Sequence, residues 1–203
     1  LKATLRPYQE AGLSWLKFVH DIGSGGVLAD DMGLGKTVQT IAMLLAVKQE
    51  EKEIRTLIVA PTSVVTNWMR EIDKFAPSLK HVVWHGGDRK ERTDELDDAD
   101  VVITSYALLR RDEELLSKQK LRYAILDEAQ NYKNLWAVAE REGGLPKYLG
   151  AISEGSQRAW NFALRSFEVR ERNGGSGVVL LSATPAKNSP LEYYSLLGYV
   201  DTE

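Results

Sequence analysis

Asp30-Asp31-Met32-Gly33-Leu34-Gly35-Lys36-Thr37 stands between the apolar run Gly26 to Ala29 and the amphipathic stretch Thr37 to Glu51. That order of strand, glycine-bearing turn and helix decides the fold class. In the stretch that follows, Val38, Ile41, Ala42, Leu44, Leu45 and Val47 recur at the spacing of one helix face, as suits a helix packed on a sheet. Ahead of it, Gly33 and Gly35 leave backbone N–H groups unobstructed, and the helix start adds its positive dipole end. Crowded nucleotide phosphates call for this combination. Lys36 then reaches the β- and γ-phosphates, and the Thr37 hydroxyl completes a magnesium shell. The general phosphate-loop pattern asks for one more glycine where Asp30 stands, so the plainer alternative is a tight turn before a helix.

Outward from this loop, apolar runs rich in branched residues alternate with amphipathic stretches. Strands are expected at Gly26 to Ala29, Thr56 to Ala60, Lys80 to Trp84, Val101 to Ser105, Tyr123 to Leu126 and Gly177 to Leu181, with helices at Thr37 to Glu51, Val64 to Phe75 and Ala107 to Gln119. This rhythm predicts an α/β doubly wound domain, a mainly parallel sheet with helices on both faces. Asp127-Glu128 closes the run Tyr123 to Leu126, which puts two carboxylates at the carboxyl edge of a buried strand, where such sheets bind ligands. Asp127 there holds Mg2+ and Glu128 polarises the attacking water. Taken alone, the pair also reads as acids favoured at a helix start; with Gly35-Lys36-Thr37 the catalytic reading prevails.

Composition sets wide bounds. The 203 residues are 43% hydrophobic and 27% charged, ordinary for one large globular domain, and the net charge of −3 carries no global basic signature. The absence of cysteine removes disulfides, thiolate zinc sites and cysteine nucleophiles. It suits a cytoplasmic setting by default, nuclear if the source is eukaryotic. No apolar run is long enough to span a bilayer, so no membrane partner is expected. The start, Leu1-Lys2-Ala3-Thr4, reads as part of something larger.

Taken together, the order of motifs resembles the superfamily two helicases, specifically their Swi/Snf-type branch, over nearly the whole chain up to Asn134. Leu5-Arg6-Pro7-Tyr8-Gln9 looks like the opening segment whose glutamine recognises adenine; an amide can pair with both donor and acceptor on that edge. Ala29 to Thr37 is similar to the branch's own phosphate-loop variant, which accounts for Asp30. Ala60-Pro61-Thr62-Ser63 with Asn67-Trp68 resembles motif Ia, and Thr104-Ser105-Tyr106 the segment near motif Ib; in the family both lie along the DNA track. Asp127-Glu128-Ala129-Gln130 resembles motif II, where the family often has His at the position of Gln130. Ser182-Ala183-Thr184 resembles motif III, which couples the nucleotide and nucleic-acid sites through hydroxyl hydrogen bonds, with Gln130 as a partner for that coupling.

The resemblance implies the first RecA-like lobe of a P-loop NTPase that binds ATP with Mg2+ and tracks DNA, duplex in preference. The whole chain reads as one such lobe. Leu135 to Gly175, broken by glycine clusters around a helix-like run from Ser156 to Arg172, reads as an insertion, its Arg158, Arg165, Arg170 and Arg172 forming a solvated face in preference to the lining of a nucleic-acid path. Two features depart from the branch: motif III reads Ala-Thr instead of Gly-Thr, and it follows motif II after a long gap. From Leu135 onward the chain looks more like helicase domains of large bacterial or phage helicase–methylase proteins, and a divergent bacterial family and an engineered junction both stay open. The second lobe, which supplies arginine fingers, does not fit in this length, so the chain is expected to hydrolyse ATP poorly alone. Two rivals are a docking module with a vestigial nucleotide site and an unrelated P-loop kinase or transferase. Trp68, Trp136 and Trp160 are read as core or interface residues before stacking platforms, and His20, His81 and His85 receive no chemistry.

Overall fold

The computed structural model describes residues 1–51, 53–132, 162, 165–166, 168–183, 196–197 and 199–200. Six strands form one sheet: β1 (Gly26–Leu28), β2 (Thr56–Ala60), β3 (His81–Trp84), β4 (Val101–Ser105), β5 (Tyr123–Leu126) and β6 (Val178–Leu181). Their order is β1-β6-β5-β2-β4-β3, and every pairing is parallel. Parallel neighbours need crossovers, and helices supply them: α2 (Lys36–Glu50), α3 (Thr62–Phe75), α4 (Glu95–Asp98), α5 (Tyr106–Arg111) and α6 (Glu113–Leu116), while α1 (Pro7–Asp21) precedes the first strand.

Side-chain alternation along each strand divides the core into two layers. Leu57, Val59, Val102, Ala124, Leu126, Val178 and Leu180 face one way, against Leu96, Leu109, Leu116, Phe162, Val169 and Tyr199. Ile58, Ala60, Val101, Ile103, Ile125, Val179 and Leu181 face the other, against Leu16 of α1, Ile41 and Leu44 of α2, and Val65, Trp68 and Ile72 of α3. Helices therefore cover both faces, and the strands between them read as unbroken apolar runs.

The expected strands stand, with trimmed ends. Gly177 falls outside β6 because its φ of +103° is not strand geometry. The expected helix Ala107 to Gln119 is instead two short helices. Asp112, at φ −112° and ψ 27°, ends α5 and opens α6. Its carboxylate is drawn inward to accept from Trp84 Nε1 at 3.0 Å and from Arg89 Nε at 2.5 Å and a second guanidinium nitrogen at 3.1 Å. A buried charge pair thus overrides helical continuity.

Helix α1 was not anticipated. Pro7 occupies its first turn, Gln9 Oε1 accepts from the Arg6 backbone N–H at 3.0 Å, and Leu16 and Val19 are buried. The expected insertion falls largely outside the described residues, as do Arg158, Trp136 and Trp160. Residues 168–172 are helical, and Arg165 corrects the solvated-face reading, being buried and paired with Glu168 at 2.8 Å.

Candidate functional site

The carboxyl edge of the sheet gathers most of the residues singled out in the sequence. Gly35 caps α2 at φ +83° and Gly33 lies at φ +81°, both left-handed, so the loop turns where only glycine is unstrained. A Cβ on Gly35 would also stand 2.6 Å from Gln9 Nε2. The glutamine from α1 is that close because its Nε2 donates to the Leu34 carbonyl at 3.1 Å. With Oε1 bound to Arg6 N–H, the amide is fixed in one orientation, and each end keeps a free hydrogen-bonding direction.

Gln39, one turn into α2 and fully buried, was not singled out in the sequence. Its Nε2 donates to Asp30 Oδ2 at 3.1 Å and to the Leu34 carbonyl at 3.4 Å. Asp30, standing where the general pattern has glycine, is thereby tied to the helix that follows the loop. Lys36 Nζ donates to the carbonyls of Asp30 at 2.7 Å and Asp31 at 3.1 Å, so the ammonium folds back onto its own loop. Thr37 is half-buried in the first turn of α2.

Opposite the loop, Asp127 and Glu128 leave the end of β5, two places from β1 in the sheet. Asp127 is 7% exposed. Its Oδ2 accepts from Trp68 Nε1 at 2.8 Å and its Oδ1 from the Glu128 backbone N–H at 2.9 Å. Burial pushes the carboxyl above the usual aspartate range, against the pull of those two donors and of the Lys36 charge. Glu128 is the one non-glycine residue at positive φ among the described residues, at +51°. Gln130 Nε2 donates to Glu128 Oε2, and Gln130 Oε1 accepts from Ser182 Oγ at 2.8 Å. Residues from the ends of β5 and β6 thus form one chain of hydrogen bonds. Ala183 is half-buried beside it, and Thr184 lies outside the described residues.

The two track segments differ. Pro61 caps α3 and leaves Thr62 and Ser63 exposed on its first turn, a backbone arrangement suited to phosphate. Thr104 and Ser105, by contrast, are buried at 0% and 2% exposure, and Thr104 Oγ1 donates to the Trp84 carbonyl at 3.1 Å. Neither presents a hydroxyl at the surface; what their strand delivers there is α5, with Ala107, Arg110 and Arg111 exposed. Tyr106, at its start, donates from its hydroxyl to the Asp127 carbonyl. Trp68, fully buried, is a core residue with a polar task and not a stacking platform.

Comparison with known proteins bears on the same residues. The model of the SNF2-related domain family matches residues 8–142. The Bacillus subtilis protein YwqA, designated an ATP-dependent helicase/translocase, is 50% identical over 98% of this chain. The Helicase SWR1 of Eremothecium gossypii is 37% identical over 98%. The chain spans only 19% and 12% of those two proteins. Among solved structures, the SWI2/SNF2 ATPase core of Sulfolobus solfataricus in complex with dsDNA superposes with a TM-score of 0.78 at 34% identity, covering 99% of this chain and 36% of that one. The relatives carry the match past the end of the family model, through the β6 strand and Ser182. On the fold, the family model and the relatives alike, the chain belongs to the SNF2-related domain family.

Proposed function

We propose that the chain is the ATP-binding lobe of a DNA-dependent ATPase of translocase type, completed in the parent protein by a second RecA-like lobe. The observation that carries this reading is the facing of the Gly33–Thr37 loop by Asp127 and Glu128, with Gln9 held against the same loop. In that arrangement Lys36 exchanges the Asp30 and Asp31 carbonyls for the β- and γ-phosphates, and the backbone N–H groups of the loop close around the same oxygens. The free donor and acceptor directions of the Gln9 amide suit the edge of adenine.

The residues present also fit Mg2+. Thr37 and Asp127 offer hard oxygen ligands, and the buried Asp127 carboxyl, raised by desolvation, is relieved by a cation. Mg2+, when bound, draws charge from the phosphate oxygens. Glu128, steadied by Gln130, orients the water that attacks the γ-phosphorus, and the exposed first turn of α3 takes duplex DNA phosphates. The relatives support this reading: the Sulfolobus core forms a complex with dsDNA, and YwqA is designated ATP-dependent.

Calorimetric titration of the chain with a slowly hydrolysed ATP analogue and Mg2+, beside Lys36→Ala, tests the proposal. Binding that disappears in the variant, with negligible turnover by the chain alone, is the expected result. Robust DNA-independent turnover would point to a self-sufficient P-loop enzyme, and no binding by the unmodified chain to a docking module.

A further inference from the structure

Two aromatic side chains converge on Asp127 from the two segments that flank the exposed edge of the sheet. Trp68 comes from α3, whose first turn carries Thr62 and Ser63, and its Nε1 donates to Asp127 Oδ2 at 2.8 Å. Tyr106 comes from the first position of α5, and its hydroxyl donates to the Asp127 backbone carbonyl. One donor thus fixes the carboxylate and the other the peptide that bears it. The strand behind adds a third hold, Asp127 N–H to the Val59 carbonyl at 2.9 Å.

From this convergence we infer that Trp68 and Tyr106 are positioning residues through which DNA lying on α3 and α5 sets the Asp127 carboxylate for the metal–nucleotide complex. The inference rests on the function proposed above and adds the route by which its two sites communicate. Three features support it. Trp68 is completely buried, so its indole cannot turn without α3 moving with it. Asp127 is itself nearly buried, so few other groups compete to orient it. Helix α3 is a single rigid element from its exposed first turn to Trp68, so a load on Thr62 and Ser63 is felt at the indole. Tyr106 plays the matching part for α5, whose exposed side carries Arg110 and Arg111.

Linkage makes this testable by binding alone. If DNA on these helices improves the Asp127 geometry, DNA tightens metal–nucleotide binding, and the metal–nucleotide complex tightens DNA binding by the same factor. The experiment uses the full-length parent protein with Mn2+ and a slowly hydrolysed ATP analogue, Mn2+ affinity being read by electron paramagnetic resonance with and without duplex DNA. DNA affinity is read by fluorescence anisotropy. In the unmodified protein DNA should tighten Mn2+–nucleotide binding by about fivefold or more, the lower end of ordinary allosteric couplings. Trp68→Phe and Tyr106→Phe, each removing one donor, should each bring that factor below about twofold while DNA affinity without nucleotide changes by less than about twofold.

Tyr106→Phe loses a single hydroxyl and guards against the larger packing change at Trp68, and melting curves identify any variant that has not folded. Folded variants that keep the full coupling factor overturn the inference, leaving the two contacts as packing only. Failure of the unmodified protein to bind DNA overturns the functional reading itself, and is distinguished because it needs no variant. DNA binding without coupling in the unmodified protein overturns this inference and leaves that reading standing.

Discussion

Gly12 of α1 and Gln39 of α2 meet so closely that a Cβ on the glycine would stand 1.8 Å from Gln39 Oε1. Glycine inside a helix ordinarily weakens it by about 1 kcal/mol relative to alanine. Here the absent methyl is what lets α1 lie against the amide that holds Asp30 and Leu34. Gly12→Ala should therefore destabilise the chain by about 1–3 kcal/mol in spite of its gain in helix propensity, the usual cost of overpacking. Urea denaturation measures this, and nucleotide affinity should fall with it because Leu34 and Asp30 lose their partner. A stabilised variant would mean that the two helices part easily.

Asp112 carries another buried contact that crosses the chain. It and Arg89 have side chains only 1% and 8% exposed, and Trp84 Nε1 shares the same carboxylate. Removing the acid leaves a guanidinium with no counter-charge, so Asp112→Ala should cost about 3 kcal/mol. Arg89→Met with Asp112→Leu should recover most of that loss, because the desolvation of both charges is removed together. Denaturation of the two single variants and the double variant gives the coupling energy; additive losses would show that the pair acts independently.

These contacts mark where sequence stops being informative. Strands β2, β4 and β5 were legible to the residue because both faces of the sheet are covered and every position is apolar or small. Gly33 to Thr37 and Asp127-Glu128 were legible because their chemistry is written in adjacent residues. Asp112 was not: an acid within Ala107 to Gln119 looks like a surface residue until Arg89 is folded against it. Gln39 escaped for the same reason, and so did the partners of Trp68 and Tyr106, which the sequence had named, since each meets its partner only across elements. Thr104 and Ser105 were placed along the DNA track because burial at a strand end depends on neighbours the sequence does not name: Thr104 lies between β3 and β2, and Ser105 pairs with Ala60 of β2. Helix α1 was nonetheless present in the spacing of Leu13, Leu16 and Val19 after Pro7.

His20 makes stability depend on pH. At the end of α1 its Nδ1 lies 2.8 Å from the Tyr123 hydroxyl and 3.2 Å from the Arg122 guanidinium, and Nε2 is 3.6 Å from Glu51 Oε1. Arginine can only donate, so Nδ1 is the acceptor and the neutral imidazole carries its proton on Nε2. Burial first, then the Arg122 and Lys17 charges, lower the His20 pKa from its ordinary 6.5, with Glu51 and Asp21 opposing. Between the lowered value and 6.5 the unfolded chain binds the extra proton and the folded chain does not, so stability falls as pH drops through that window. Glu51, held below its usual range chiefly by its hydrogen bonds with Arg122, keeps its stabilising contribution above the ordinary glutamate value of 4.5 and loses it only at lower pH. Melting temperatures of the unmodified chain should decline from about pH 7.5 to about 5.5, and His20→Gln should flatten that slope. An unchanged slope would assign the pH dependence to another group.

Gln130 stands between Glu128 and Ser182 with its amide orientation fixed by chemistry. A carboxylate only accepts, so the amide nitrogen faces Glu128, leaving the amide oxygen for the Ser182 hydroxyl at 2.8 Å. Glu128 needs such a hold, because its backbone sits at positive φ, where a side chain of its size is disfavoured. If Gln130 steadies Glu128 and Ser182 steadies Gln130, the two act as one unit in the ATPase reaction of the parent protein. Gln130→Ala should lower kcat by about tenfold, roughly 1.4 kcal/mol of transition-state stabilisation, with less change in KM. Ser182→Ala should lower it less, and the double variant should be no slower than Gln130→Ala alone. Gln130→Glu should be worse than alanine, since it sets a second carboxylate against Glu128. Steady-state kinetics of the four variants decide the matter: additive losses would show that Ser182 serves the reaction by some path other than this amide.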